Sequence, residues 1–193
     1  MSAQTRPETN PTSPVMAFTW HRHAPEDFKQ PLTVIETDHA TQLAICDVLD
    51  RIIQNPRHGA AEQEIKAVHE YLCTQMPHHI ADEEEDLFPL LRRSAAADGE
   101  LEKILGQLHR EHHLDQRLDA DLRRDLNCLI CGQPFADPVR FLMTAFAFGE
   151  TQRRHLAWEN AVVVSRARKY LTMANQAELG RRMAKRRGIA LPD

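Results

Sequence analysis

The stretch His79-Ile-Ala-Asp-Glu-Glu-Glu-Asp-Leu-Phe-Pro89 decides both the kind of fold and the kind of site this chain can hold. A helix turns about 100° per residue, so His79 and Glu83, four positions apart, lie on one face and can grip one cation. The same spacing returns in His155-Leu-Ala-Trp-Glu159. Outward from His79, apolar residues advance mostly by three and four through Ile65, Val68, Leu72, Cys73, Met76, Leu87 and Leu90, which predicts a helix over about 61–93. His79 and Glu83 then face where the hydrophobes face. His78, Asp82, Glu84 and Glu85 fall out of phase and are expected on a solvated surface. A bare carboxylate in an apolar stripe costs several kcal/mol, on the order of its desolvation penalty, so Glu83 requires a cation or hydrogen bonds. Pro77 is expected to bend this helix and Pro89 to bend or end it near its last turn.

Three more helices follow from the same periodicity. The first is predicted over about Leu32–Ile53, before Asn55-Pro56, with Leu32, Ile35, Leu43, Cys46, Leu49 and Ile53 inward and His39 in the same stripe. The third is predicted over about 100–129, with Leu101, Ile104, Leu105 and Leu108 inward. In its run Leu-His-Arg-Glu-His-His, residues 108–113, His112 is in line with the leucines. His109 and His113 are rotated off that face, yet as an i, i+4 pair they remain an alternative for one metal. Glu111 leans partly inward and is expected at the boundary. The fourth helix begins after a loop with Gly132, Pro134 and Pro138 and runs towards Tyr170. Phe148, His155 and Val162 recur there every seven residues, and Arg166 marks where the stripe leaves the core.

Four long amphipathic helices with short connections predict an all-α, up-down-up-down four-helix bundle over residues 25–175. Residues 1–24 carry Pro7, Pro11 and Pro14 and are expected to be a flexible segment whose Phe18 and Trp20 can pack back on the domain. His21 and His23 in it are not expected among the ligands, and His58, in the first connection, is expected to be exposed. Residues 176–193 form a helical extension whose Arg181, Arg182, Lys185, Arg186 and Arg187 are expected to be a solvated face or a partner contact.

Composition limits the alternatives. With 193 residues the chain can build one domain with a sizeable core. Its 42% hydrophobic and 27% charged residues exclude wholesale disorder. A formal net charge of −4 gives no reason to approach nucleic acid or an anionic membrane. No apolar run reaches the roughly 20 residues of a membrane span, and no secretory signal is evident, so the expected setting is cytoplasmic. The four cysteines agree with a reducing compartment. Cys46 and Cys73 fall in apolar patterns and are expected to act as small hydrophobes. Cys128 and Cys131 form a C-x-x-C with no second pair and no preceding strand, which reads as two thiols at a helix end rather than a zinc ribbon or redox site.

Each predicted helix thus offers inward groups: His39, then His79 with Glu83, then His112, then His155 with Glu159. Four imidazoles and two carboxylates are too few for two separate closed sites, but they suit two irons that share bridging carboxylates and keep positions open. The mixed nitrogen and oxygen set disfavours magnesium and calcium, while zinc remains a competitor.

Over residues 33–187 the chain resembles the hemerythrin-like HHE cation-binding domains. The resemblance rests on Glu-Thr-Asp-His-Ala from Glu36, on His-x-x-x-Glu-Glu-x-x-Leu-Phe-Pro from His79, on Glu111-His112, and on His-Leu-x-x-Glu-Asn from His155; the second is the most specific. It implies a four-helix bundle around a non-haem di-iron centre, with His39 and His79 on one iron, His112 and His155 on the other, and Glu83 and Glu159 bridging. The oxygen-carrying hemerythrins use two histidines from the third helix and a fourth-helix His-x-x-x-x-Asp, whereas this chain has His-x-x-x-Glu. That departure sets it apart from simple oxygen carriage and implies an extra open position, as in the sensor and iron-handling branches. The function implied is binding or sensing of O2, nitric oxide or peroxide, or handling of iron under oxidative stress, with a protein partner for any signalling. The alternatives are a di-iron enzyme reducing peroxide or O2, and a metal-free helical interaction module.

Overall fold

The computed structural model describes residues 18–55 and 60–191; Pro7, Pro11, Pro14 and His58 lie outside the described residues. A 3₁₀ turn, Pro25–Lys29, leads into α1 (Pro31–Gln54). The second rod is α2 (Glu62–Ala81), which passes through a π-helical segment, Asp82–Leu87, into α3 (Phe88–Ser94). α4 (Gly99–Ile130) is the third. The fourth is α5 (Pro138–Trp158), which passes through a second π segment, Glu159–Val164, into α6 (Ser165–Tyr170). A further helix, α7 (Met173–Arg186), closes the described chain. Pro31 and Pro138 stand in first turns, where a missing N–H costs nothing. Asp98 and Asp137 cap α4 and α5 by accepting the N–H groups of Leu101 and Arg140, each at 3.0 Å.

The rods form a ring in which α1 packs on α2 and α5, and α4 packs on the same two. Their alternating direction shows in how they cross the interior. Two apolar clusters fill the bundle, one around Phe28, Phe88 and Leu105, the other around Tyr71, Phe141 and Phe148. α1 leaves the first cluster at Ile35 and enters the second at Ile45, while the second rod runs from Met76 in the second cluster to Leu87 in the first. α4 repeats the first direction from Leu108 to Leu122, and the fourth rod the second direction from Phe148 to Val163. Every predicted inward histidine falls in the gap between the clusters. The result is an up-down-up-down bundle with a polar layer across its middle.

Several registers differ from the sequence reading. In α1 the buried line is Leu32, Ile35, His39, Gln42, Cys46 and Leu49, an alternation of three and four that passes through Gln42 and leaves Leu43 37% exposed. Ile53 is only half-buried. Cys73 is exposed, one step off the line through Leu72 and Met76. In the fourth rod the wider turn of the π segment delays the phase by one residue, so Val163, Val164 and Ala167 enter the core where Val162 was expected. Pro89 neither ends nor breaks its rod. Phe88 N–H bonds back five residues to the Glu83 carbonyl, and the helix continues past the proline to Ser94. The C-x-x-C lies at the end of α4, with Cys131 as its C-cap and both thiols free.

The C-terminal basic stretch is folded onto the bundle. Leu179, Met183 and Ala184 are buried in the same cluster as Leu32 and Phe88, and Gly180 passes so close to the 3₁₀ turn that a Cβ there would lie 2.0 Å from the Phe28 carbonyl oxygen. No helix among the described residues is long and apolar enough to cross a membrane.

Candidate metal centre

The polar layer is built from both π segments and from α1, α2, α4 and α5. Glu83 is the second residue of the first π segment and Glu159 the first of the second. Both carboxylates are fully buried, and His39, His79, His112 and His155 are at most 7% exposed. Glu83 Oε1 lies 3.5 Å from His39 Nε2, and its Oε2 lies 3.6 Å from His79 Nε2 and 3.5 Å from His112 Nε2. Glu159 Oε2 lies 3.3 Å from His39 Nε2, and its Oε1 lies 3.7 Å from His112 Nε2 and 2.6 Å from His155 Nε2. Two tetrads result, His39-His79-Glu83-Glu159 and Glu83-His112-His155-Glu159, with donor atoms within 4.8 Å of one another in each. Both carboxylates belong to both tetrads.

Most of these approaches are long for hydrogen bonds, and the 2.6 Å contact of His155 Nε2 with Glu159 Oε1 lacks hydrogen-bond direction. All four oxygens of Glu83 and Glu159, together with His39 Nε2, are buried without a partner. A fully buried carboxylate left that way is costly, and two facing each other more so.

A surrounding layer fixes which imidazole nitrogen faces inward. His39 Nδ1 donates to Asn160 Oδ1 at 2.7 Å, His112 Nδ1 to Glu84 Oε1 at 2.6 Å, and His155 Nδ1 to Glu111 Oε2 at 3.1 Å. Glu84 and Glu111 are held below the usual carboxylate range: burial opposes this, but His112 and His109 on Glu84, and Gln107 and His155 on Glu111, outweigh it. These acids are ionised and can only accept, so Nδ1 carries the proton and Nε2 presents a lone pair to the carboxylates. The consequence is sharp at His112 and His155, whose Nε2 atoms face each other at 2.9 Å. Two lone pairs at that separation need a cation between or beside them. In the metal-free chain a proton takes that role: burial works against it, but Glu159, Glu83 and Glu84 push His112 up to about 12. Glu83 and Glu159 likewise raise His39 to about 9 against its burial. Donor set, tautomers and orphaned oxygens all fit a pair of cations.

His79 is held differently. Its Nδ1 is 3.7 Å from Asp38 Oδ2, beyond hydrogen-bond length, and Asp38 accepts from His23 Nε2 at 2.8 Å and from Arg187 Nη2 at 3.3 Å. Arg187, with its side chain 5% exposed, also donates to Asp82 at 2.6 Å, and Arg186 and Arg182 hold Asp86 at 2.7 and 3.1 Å. The expected solvated acids Asp82 and Glu84 therefore belong to the structure of the site, and the expected solvated arginines are their partners.

The structure brings together His39, His79, Glu83, His112, His155 and Glu159. His109 donates to Glu84 Oε2 at 2.8 Å from an exposed position, and His113 is exposed beside it. Sequence phase places Glu111 at the boundary, where it stands, but not Asn160, Glu84 and Asp38, which face the far nitrogens of the imidazoles; Glu159-Asn160 is an adjacent pair, a signal that points to one of them. It also missed Gln42 and Gln152, buried beside the centre. They line a cavity of about 30 Å³ bounded by His79, His112, His155 and Phe148.

A family model described as the hemerythrin HHE cation binding domain matches residues 30–168, more than half of the chain. The chain belongs to the hemerythrin HHE cation-binding domain family. No curated protein matches it. The matched span of this HHE domain contains all six central residues and Asn160, Glu84, Glu111 and Asp38 around them. His21, His23 and α7 with Arg187 lie outside it.

Proposed function

We propose that this HHE domain is a non-haem di-iron protein that binds a small oxidant, O2, nitric oxide or peroxide, as a sensor or in handling iron under oxidative stress. The observation that carries the reading is the pair of tetrads sharing two carboxylates whose four oxygens are all buried and unpartnered. His39 and His79 would hold one ion, His112 and His155 the other, and Glu83 and Glu159 would bridge. Two imidazoles and two shared oxygens per ion suit iron with positions left open. Bound iron would supply redox-active, ligand-accepting positions.

The chain's own residues provide the rest. Glu84, Glu111 and Asn160 keep three Nδ1 protons outward, so the inward nitrogens stay available. The apolar clusters on either side exclude bulk water. The 30 Å³ cavity suits a diatomic molecule, peroxide or a single water, and is too small for an organic substrate. Gln42 Nε2, buried there without a partner, offers a hydrogen-bond donor to such a ligand. The four free cysteines support a reducing, cytoplasmic setting.

Elemental analysis with optical spectra of aerobically and anaerobically prepared protein tests the reading. Two irons per chain and a spectrum that changes on adding O2 or nitric oxide are expected; a single zinc per chain would overturn it. Peroxide turnover by the iron-loaded protein distinguishes an enzyme from a sensor.

A further inference from the structure

We infer that His21, His23 and Asp27 form a second, peripheral site for one divalent cation of the zinc class. Asp27, inside the 3₁₀ turn, folds its carboxylate back over the segment that precedes it: Oδ2 accepts the Ala24 N–H at 2.8 Å and lies 3.2 Å from His21 Nε2 and 3.8 Å from His23 Nδ1. The rings of His21 and His23 meet edge to face with centroids 5.1 Å apart. One donor atom from each of the three residues falls within 4.8 Å of the others. Zinc bonds of about 2.0–2.2 Å put tetrahedral donors about 3.3–3.5 Å apart, so small rotations about the side-chain torsions would seat an ion.

His23 separates this cluster from a chance pair of surface histidines. Its side chain is 4% exposed and is held on two sides, by the edge of Phe28 at 5.8 Å between centroids and by Asp38 at 2.8 Å from Nε2. Asp38 also accepts from Arg187 Nη2 at 3.3 Å on its other oxygen, so the carboxylate behind His23 is paired with a guanidinium. A carboxylate held by that guanidinium accepts from His23 Nε2 at 2.8 Å, which leaves Nδ1 to turn a lone pair towards Asp27. A carboxylate behind an imidazole in front of a metal is the arrangement that orients histidine ligands generally. His21 and Asp27 then close the site from the exposed side, with side chains 55% and 34% exposed. A cleft of about 300 Å³ that also carries Glu26 leaves the remaining coordination positions to water or a further carboxylate. Two imidazoles and a carboxylate exclude magnesium and calcium and suit zinc, cobalt or nickel. All three residues precede the matched family span, so the site is a property of this chain's own N-terminal segment. Asp38 makes it a neighbour of the buried centre, since its other oxygen faces His79 Nδ1.

The test uses the full chain with its buried centre already loaded and excess metal removed. Zn²⁺ titration by calorimetry, and Co²⁺ titration followed by its visible ligand-field band, are expected to find one further ion per chain. His21→Ala removes an exposed ring, and Asp27→Asn keeps an oxygen that can accept the Ala24 N–H, so both variants should fold. Each should weaken that extra ion by more than the 10–100-fold typical of losing an outer partner, with the buried metal content unchanged. Absence of a further ion, or a further ion held equally well by both variants, would overturn the inference.

Discussion

Glu83→Gln is the most discriminating perturbation of the buried centre, because Glu83 reaches both tetrads at once. Its oxygens lie 3.5, 3.6 and 3.5 Å from His39, His79 and His112, so a neutral amide of the same shape loses a bridging oxygen at both ions while leaving the surrounding Leu87 and Phe88 packing in place. In the wild type, an ion present at 100 to 1,000 times its dissociation constant adds about 2.7–4.1 kcal/mol to stability. In a domain of this size each kcal/mol moves Tm by about 2–4 °C, so each ion that chelation removes should lower Tm by about 5–16 °C. The Glu83→Gln protein should contain less than one ion per chain, and chelator should move its Tm by no more than about 2 °C, the lower end of a single kcal/mol. Glu85→Gln, two residues on at a side chain 68% exposed, should keep both the metal and the full shift. Calorimetric melts with and without chelator, paired with elemental analysis, read both quantities. Two ions per chain and an undiminished chelation shift in Glu83→Gln would refute the shared-carboxylate arrangement.

Four further outcomes follow from particular residues. His39 at about 9 and His112 at about 12 are raised above 6.5, so the stability they lend the metal-free protein is complete below about pH 6.5 and declines above it, the His39 share being gone once pH passes about 9 and the His112 share only near 12. Metal competes with those protons, so the Tm drop on chelation should grow between pH 6.5 and 9, and a pH-independent drop would contradict the assignment. Burial lifts Asp119 from 3.8 to about 6 in spite of Arg123, which makes its ionised form a burden as pH rises through that range; Asp119→Asn should raise Tm at pH 8 and not at pH 4, as melts at the two pH values would show. Arg187→Ala leaves Asp82 and Asp38 short of a buried partner and should cost about 3–5 kcal/mol in urea titration, with Arg187→Lys recovering only part because an ammonium cannot fork between two carboxylates. Gly180→Ala should destabilise by about 1–3 kcal/mol in the same titration, against a helix-propensity gain of about 1 kcal/mol, because its Cβ would meet the Phe28 carbonyl.

The four rods and the six central residues were legible because both rest on phase within single helices. Caps and prolines bound the rods within a residue or two, and the i, i+4 pairs His79-Glu83 and His155-Glu159 carry their own register. Phase misleads where the helical turn is not constant and where a polar side chain takes its partner from another helix. Leu43, four residues after His39, fits the 3.6-residue period as an apolar residue, while the true three-four alternation runs through Gln42, a polar residue whose burial makes sense only with the cavity beside it. Val162 falls in strict sevens with Phe148 and His155, but a π turn that no residue type announces lies between it and His155.

The acids after His79 show why the second kind of error is systematic. In a straight helix of a four-rod bundle, Asp82, Glu84 and Glu85 would all flank the apolar stripe and face water, and an isolated charge there needs no partner. Two things changed that here. The π segment begins at Asp82, so the turn that carries Glu83 inward is wider than an α turn and rotates its neighbours towards adjoining helices, bringing Glu84 within 2.6 Å of His112 Nδ1. α7 then lies over the opposite flank, where Asp82 is fully buried and Asp86 nearly so, and three arginines from about 100 residues away neutralise them. Neither event is local: one depends on hydrogen bonds that skip a residue, the other on a fifth helix outside the family span. Of that stretch only Glu85 keeps an exposed side chain, and even it accepts from Arg186 Nη2 at 3.1 Å. The charge run that reads as a solvated face is therefore the layer through which the metal-binding rod is tied to both α4 and α7, and a cation at Glu83 would be felt by both.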